Sequence, residues 1–215
     1  MNKLGKGRKI AVAGMLALGL GGVALGNVPA ANAGVGLAPA THMIKVSEVK
    51  QADPKVPWSV QINSGQLQPT YCGVGSTEGK GVTKRFARAY TDDMASYGRQ
   101  HVTEYATVAA ANAAHTTIVR TILSCTASKP APTHARKITE NRVVKGAAGA
   151  TRVIRWYDYP KPNDPGSEAG GFPYAVTVKG KVVSVLAFSG YGPGMAAPNF
   201  DKLARTAATK LPKIN

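Results

Sequence analysis

The stretch Thr107–Cys125, TVAAANAAHTTIVRTILSC, limits the possible folds of this chain more than any other. Val108, Ala111, His115, Ile118, Ile122 and Cys125 recur at spacings of three and four, which is one face of an α-helix. Val119 and Leu123 widen that stripe. The alanines favour helix, and neither Gly nor Pro interrupts the run. The Thr107 hydroxyl suits an N-cap, and Ser128-Lys129-Pro130 closes the segment. A striped helix must bury its stripe against another layer, so the flanking segments have to supply one.

The helix ends on one of only two cysteines, the other being Cys72. The N-terminus bears on their oxidation state. Lys3, Lys6, Arg8 and Lys9 precede an apolar, glycine-rich run from Ile10 to Gly26, and Ala31-Asn32-Ala33 then places small residues at both specificity positions. This is the three-part layout of a secretory signal peptide, with cleavage expected after Ala33. Residues 34–42 read as a flexible N-terminus and 43–215 as one domain. Secretion places the cysteines in an oxidising compartment, where a Cys72–Cys125 disulfide is expected. Such a bridge stabilises by about 4 kcal/mol in the chain-entropy picture. A metal or redox pair is the competing reading, but the spacing is far from CxxC and two thiols make a poor metal site.

The remaining elements follow from alternation and punctuation. Met43–Val49 suits a short helix or an entry strand, and Trp58–Ile62 a short strand. Lys84–Thr91 and Gln100–Ala106 read as strands on either side of a polar turn. Ala135–Val144 is a basic, partly β-branched strand, and Thr151–Tyr159, TRVIRWYDY, has the strongest strand signal in the chain. A long Pro/Gly loop follows from Pro160 to Gly171. YAVTV and VVSVLAF flank Lys179-Gly180-Lys181 as a hairpin. Asn199–Leu211 reads as a closing helix capped by Asn199, with Phe200, Leu203, Ala207, Ala208 and Leu211 inward. The expected fold is α+β: an antiparallel sheet with two main helices packed on one face, a single domain and one disulfide.

The QHVTEYA strand running into an Ala-rich helix that ends ILSC, and the VTVKGKVVSVLAF hairpin leading into DKLARTAATKL, resemble the PknH-type extracellular sensor domains of actinobacteria. The likeness covers most of residues 43–212. It implies an α+β fold with a cleft, a disulfide, and binding rather than chemistry. The chain shows no kinase domain, and it carries one cysteine pair where some members have two.

Charge and motifs bound the function. Lys and Arg number 27 against 11 Asp and Glu, a net +16, and much of that excess lies outside the signal peptide. Outside the cell it points to an anionic cell-wall polymer, a lipid surface or an extracellular protein, or serves solubility alone. Nucleic acid is not expected, because no run of five basic residues occurs. No cofactor or metal is expected either: His42, His101, His115 and His134 form neither HExxH nor HxH. A hydrolase would need a nucleophile. Ser189 in AFSGY lacks the glycines of a nucleophile elbow, and Glu104 and Asp158 are the carboxylates able to converge.

The candidate ligand-binding residues are aromatics around the Pro/Gly loops. Trp156, Tyr157 and Tyr159 enter the first loop, Tyr174 leaves it behind Phe172, and Tyr191 sits in the next. Trp156 and Phe172 also suit core positions. His115 interrupts the apolar stripe of the helix, as a cleft-lining or pH-responsive contact or as a core-edge histidine. The chain thus reads as a secreted, non-enzymatic, sensor-like binding protein. The alternatives are a secreted hydrolase with a cryptic site and a protease-inhibitor-like protein presenting the 160–171 loop.

Overall fold

The computed structural model describes residues 36–37, 40–64, 70–74, 79–125, 130–212 and 214. The segment read as a signal peptide, with its cleavage site, lies outside them. Residues 34–215 form one compact unit.

Its strands are β1 (Gly36–Leu37), β2 (Ser59–Ser64), β3 (Val82–Thr91), β4 (Tyr97–Tyr105), β5 (His134–Val143), β6 (Ala150–Pro160), β7 (Gly170–Lys179) and β8 (Val182–Tyr191). Its helices are α1 (Val46–Ala52), α2 (Val108–Ser124) and α3 (Ala197–Lys210), with a single 3-10 turn at Ala40–His42. All the strands join one sheet in the order β1-β3-β4-β8-β7-β6-β5, and β2 lies beside β1 along the outer edge of β3. Only the two-residue β1 pairs in parallel; the other seven strands are antiparallel.

The expected arrangement, α+β with two main helices on one face, is corrected here. The molecule is mostly sheet, and three helices are divided between its two faces. Ala111, Ile118 and Ile122 of α2 bury against Ile154, Tyr174, Val176, Val185 and Ala187. On the opposite face Phe200, Leu203 and Ala207 of α3, with Val49 of α1, bury against Val153, Ala175, Leu186 and Phe188. The reason lies in the two central strands. Tyr174–Val178 and Val182–Phe188 are buried at every position, with both parities apolar or small. A strand apolar on both faces needs cover on both. A hairpin packed against a single layer would leave Ala175, Leu186 and Phe188 in water.

Local chemistry sets the ends of the helices. Thr107 caps α2, its hydroxyl accepting from Ala110 N–H at 3.1 Å. Cys125 ends α2 in the left-handed region at φ 39°. The stripe lies slightly off the expected one: Ala114 is buried and Val108, at the first turn, is exposed. In α3, Ala196 stands at the cap without a side-chain bond, and Pro198 sits in the first turn. Asn199 is therefore inside the helix instead of capping it. Proline lacks the N–H that an N-cap would satisfy and already holds helical φ, so the helix starts at its ring. Gly180, at φ 57°, makes the β7–β8 turn. The Met43–Val49 segment resolves as helix: the Ile44 carbonyl accepts from Tyr90 O–H at 2.7 Å and from Arg88 Nη1 at 2.8 Å, anchoring α1 to β3.

Cys72 and Cys125 form the expected disulfide. It ties the Thr70–Val74 segment to the C-terminus of α2, over the lower half of the sheet.

Candidate functional site

Helix α2 does not cover its whole face. It starts immediately after β4 and ends beside β6, where Trp156 Nε1–H donates to Ile122 O at 2.7 Å. The slant leaves one end of the sheet open: the start of β4, the start of β7 and the end of β8. Three clefts of about 420, 350 and 690 Å³ meet there. Ser189 lines all three. Tyr97 belongs to the first two, and Met94 and Tyr191 to the first and third. Cross-strand register explains the meeting, because Tyr97 stands opposite Ser189 and Gly170 opposite Tyr191. The rim is apolar and exposed: Met94 is 82%, Tyr191 66% and Tyr97 43% accessible.

The turn from β3 to β4 that carries Met94 is held by one carboxylate. Asp92 Oδ1 accepts from the backbone N–H groups of Met94, Ala95 and Ser96 at 2.8–2.9 Å. Burial pushes the Asp92 pKa up, but these amides outweigh it and the net shift is downward. Two glycines allow close approaches. A Cβ on Gly98 would lie 2.5 Å from the Phe188 ring, and one on Gly171 would lie 2.2 Å from the Pro193 carbonyl. The Phe188 ring and the 192–195 loop therefore lie directly on bare backbone.

The polar groups at this end fall into two sets. The first is closed on itself. Asp158 accepts from Arg136 Nε at 2.6 Å, Arg136 Nη2 at 2.8 Å and Tyr71 O–H at 2.6 Å. Arg136 also bonds Tyr71 Oη, stacks over the Tyr71 and Trp156 rings, and reaches Cys125 Sγ at 3.4 Å. The Asp158 bonds hold the Arg136 pKa above its usual value. Tyr71 in turn stacks on Phe172, with ring centroids 3.8 Å apart. This cluster pins the disulfide-tied segment to the sheet.

The second set is open. The 350 Å³ cleft is lined by Thr70, Tyr71, Tyr97, Arg99, Tyr174 and Ser189, together with Ala187 and Phe188. Arg99 projects from β4 between two alanines, Ala89 on β3 and Ala187 on β8, with Tyr174 next in the row. Its Nε is buried and has no hydrogen-bond partner among the described residues. An unmet buried donor costs about 1–3 kcal/mol, more when charged. Tyr174 Oη accepts from Cys72 N–H at 2.9 Å, and burial pushes its pKa up to about 12, so it keeps its proton.

The residues expected at a site are dispersed. Trp156 is the strut to Ile122 and lines none of these clefts. Tyr157 and Tyr159 lie on the α3 face, stacked on each other with Lys137 over both rings. Tyr174 lies in the floor of the 350 Å³ cleft and Tyr191 on the rim. His115 faces Val176, up β7 from the clefts. Burial lowers its pKa, against the Val176 backbone and with Arg152 adding to the lowering. Met94, Tyr97 and Arg99 went unremarked in the sequence. The signal for Arg99 was its parity with His101 and Tyr105, which are buried, one step in from exposed Tyr97.

Among the described residues, Ser189, His134, Glu104 and Asp158 do not form a hydrolytic group. Ser189 O–H points to Tyr97 O at 3.5 Å. His134, on the same cleft, has Nδ1 3.0 Å from Thr133 Oγ1 and Nε2 3.0 Å from Glu168 O, so both nitrogens are occupied. Glu104 pairs with Lys84 at 3.2 Å at the far end of β4, away from Asp158. Among the described residues no group of three metal-ligating side chains occurs, and no helix is long and apolar enough to cross a membrane.

No protein-family model and no curated protein matches the chain by sequence. Solved structures do share its fold. Among them is the extracellular domain of PknH from Mycobacterium tuberculosis, with a TM-score of 0.54 and 14% sequence identity, covering 79% of this chain and 92% of that one. At this identity the likeness is one of fold.

Proposed function

We propose that this is a secreted, non-enzymatic binding protein that takes an envelope-derived ligand into the clefts around Tyr97, Ser189 and Tyr191. The observation that carries the reading is the convergence of three clefts on one open end of the sheet, behind the exposed rim of Met94, Tyr97 and Tyr191. Concave sites with apolar walls and a few polar groups are the usual form of ligand sites. A fold shared with an extracellular domain supports the location. The excess of basic residues supports an anionic or amphipathic ligand. Ser189 and His134 are committed to backbone and to Thr133, which speaks against a hydrolase.

The test is a thermal-shift panel of soluble wall fragments, anionic wall polymers and anionic lipid vesicles. At least one should stabilise the protein, and a Met94→Ala/Tyr191→Ala variant should lose that stabilisation while melting as the parent does. Stabilisation by none of them, with turnover of an ester or glycoside that Ser189→Ala abolishes, would overturn the reading.

A further inference from the structure

The 350 Å³ cleft differs from its neighbours in chemistry. No carboxylate lines it. The nearby acid, Asp158, spends both oxygens on Arg136 and Tyr71. What remains is one guanidinium with an unmet Nε and the Tyr174 hydroxyl, which accepts from Cys72 N–H, bonds with the Thr70 side chain and still holds its proton. The row Ala89–Arg99–Ala187–Tyr174 explains the space, because the two alanines leave the sheet surface low on both sides of the arginine. The disulfide-tied Thr70 and Tyr71 wall one side. The half-exposed Tyr97 ring offers flat apolar surface beside the charge.

We infer that the Arg99 cleft is a binding site for a small oxyanion, a carboxylate or a phosphate monoester, carried on a flat apolar body. The fork of Arg matches two oxygens of such a group, which is the geometry Lys cannot reproduce. A cleft of 350 Å³ accepts a ring with its head group and little more. Tyr174 O–H donates to the same head group, and an aromatic or planar body lies against Tyr97. The site rests on the binding reading above and narrows it to a ligand class.

The experiment is isothermal titration at low salt with phenyl phosphate, benzoate, inorganic phosphate and phenol. Phenyl phosphate or benzoate should bind the parent, phenol should bind neither parent nor variants, and inorganic phosphate should bind more weakly than phenyl phosphate. A preference for phenyl phosphate would identify a phosphate monoester, and a preference for benzoate a carboxylate. Arg99→Gln should weaken binding at least about tenfold, while Arg152→Gln, at a half-buried arginine bonded to Asn141 and lining none of the three clefts, should change it less than about twofold. Ser189→Tyr, at the end of β8, fills the cleft mouth while keeping Arg99 in the sequence and should abolish uptake. Failure of both anions to bind the parent would overturn the inference, as would equal binding to Arg99→Gln, or to Ser189→Tyr should Arg99→Gln not fold. Wall-fragment binding lost in Met94→Ala/Tyr191→Ala but kept in Arg99→Gln would remove the oxyanion assignment and leave the binding reading standing. Phenyl phosphate binding through Arg99 with no wall fragment bound would do the reverse.

Discussion

Replacing Asp158 by asparagine separates a strut from a site. Asp158 and Arg136 are each more than nine-tenths buried in their side chains, at 9% and 8% accessibility. The carboxylate receives three short bonds, two from Arg136 and one from Tyr71. Asp158→Asn keeps the shape but removes the charge, and it turns an NH₂ toward donors that need an acceptor. Arg136 is then a buried cation without its carboxylate, with Cys125 Sγ, Tyr71 and the faces of two rings among its other contacts. Breaking one half of such a pair costs about 3–5 kcal/mol. For a domain of this size each kcal/mol moves Tm by about 2–4 °C, so a fall of about 6–20 °C is expected. Urea unfolding followed by tryptophan fluorescence measures it, since Trp156 sits beside Arg136. The double variant Arg136→Met/Asp158→Leu removes both charges together and should recover at least about 2 kcal/mol of the loss. A loss below about 1 kcal/mol in Asp158→Asn, or a double variant weaker than the single, would refute the strut reading and return Asp158 to the cleft as an available carboxylate.

Trp156→Phe keeps an aromatic ring but removes the donor to Ile122 O and should cost about 1–3 kcal/mol in urea unfolding followed by circular dichroism, with ligand binding unchanged. Cys72→Ala/Cys125→Ala opens a loop with a sequence separation of 53 and should cost about 4 kcal/mol, read as a lower Tm by calorimetry. His42 and His115 both titrate below the usual histidine value, chiefly because burial disfavours the charged ring. The unfolded chain therefore takes up more protons below about pH 6.5, so stability should fall as pH drops through that range. His115→Phe should shrink that pH dependence in a Tm-against-pH series; an unchanged slope would contradict it.

The helix ending at Cys125, the central hairpin around Gly180 and the disulfide were legible because each has a local cause: 3.6-residue periodicity, a turn glycine, and two cysteines with no other partner. The layering was not. YAVTV and VVSVLAF announced their two-sided burial in the sequence, yet hairpin spacing alone suggests one covered face. Site residues were harder still. Trp156 and Tyr159 stand in one strand of alternating aromatics, but parity sends them to opposite faces, and only the slant of α2 decides which end of the sheet stays open. Arg99 carries no motif. It matters because Ala89 and Ala187, distant in sequence, arrive on either side of it, a fact of register and not of spacing.

The most direct test of the account is a ¹H–¹⁵N titration of the uniformly labelled protein with phenyl phosphate, observing backbone amides and arginine Nε–H groups. Binding at Arg99 should move the Arg99 Nε–H and the amides of Tyr97–Arg99, Ala187–Ser189 and Thr70–Tyr71 together with a single saturation curve, while Tyr157, Tyr159 and α3 stay still. Shifts centred on Tyr157 and Tyr159, or an Arg99 Nε–H that does not move at saturation, would contradict it.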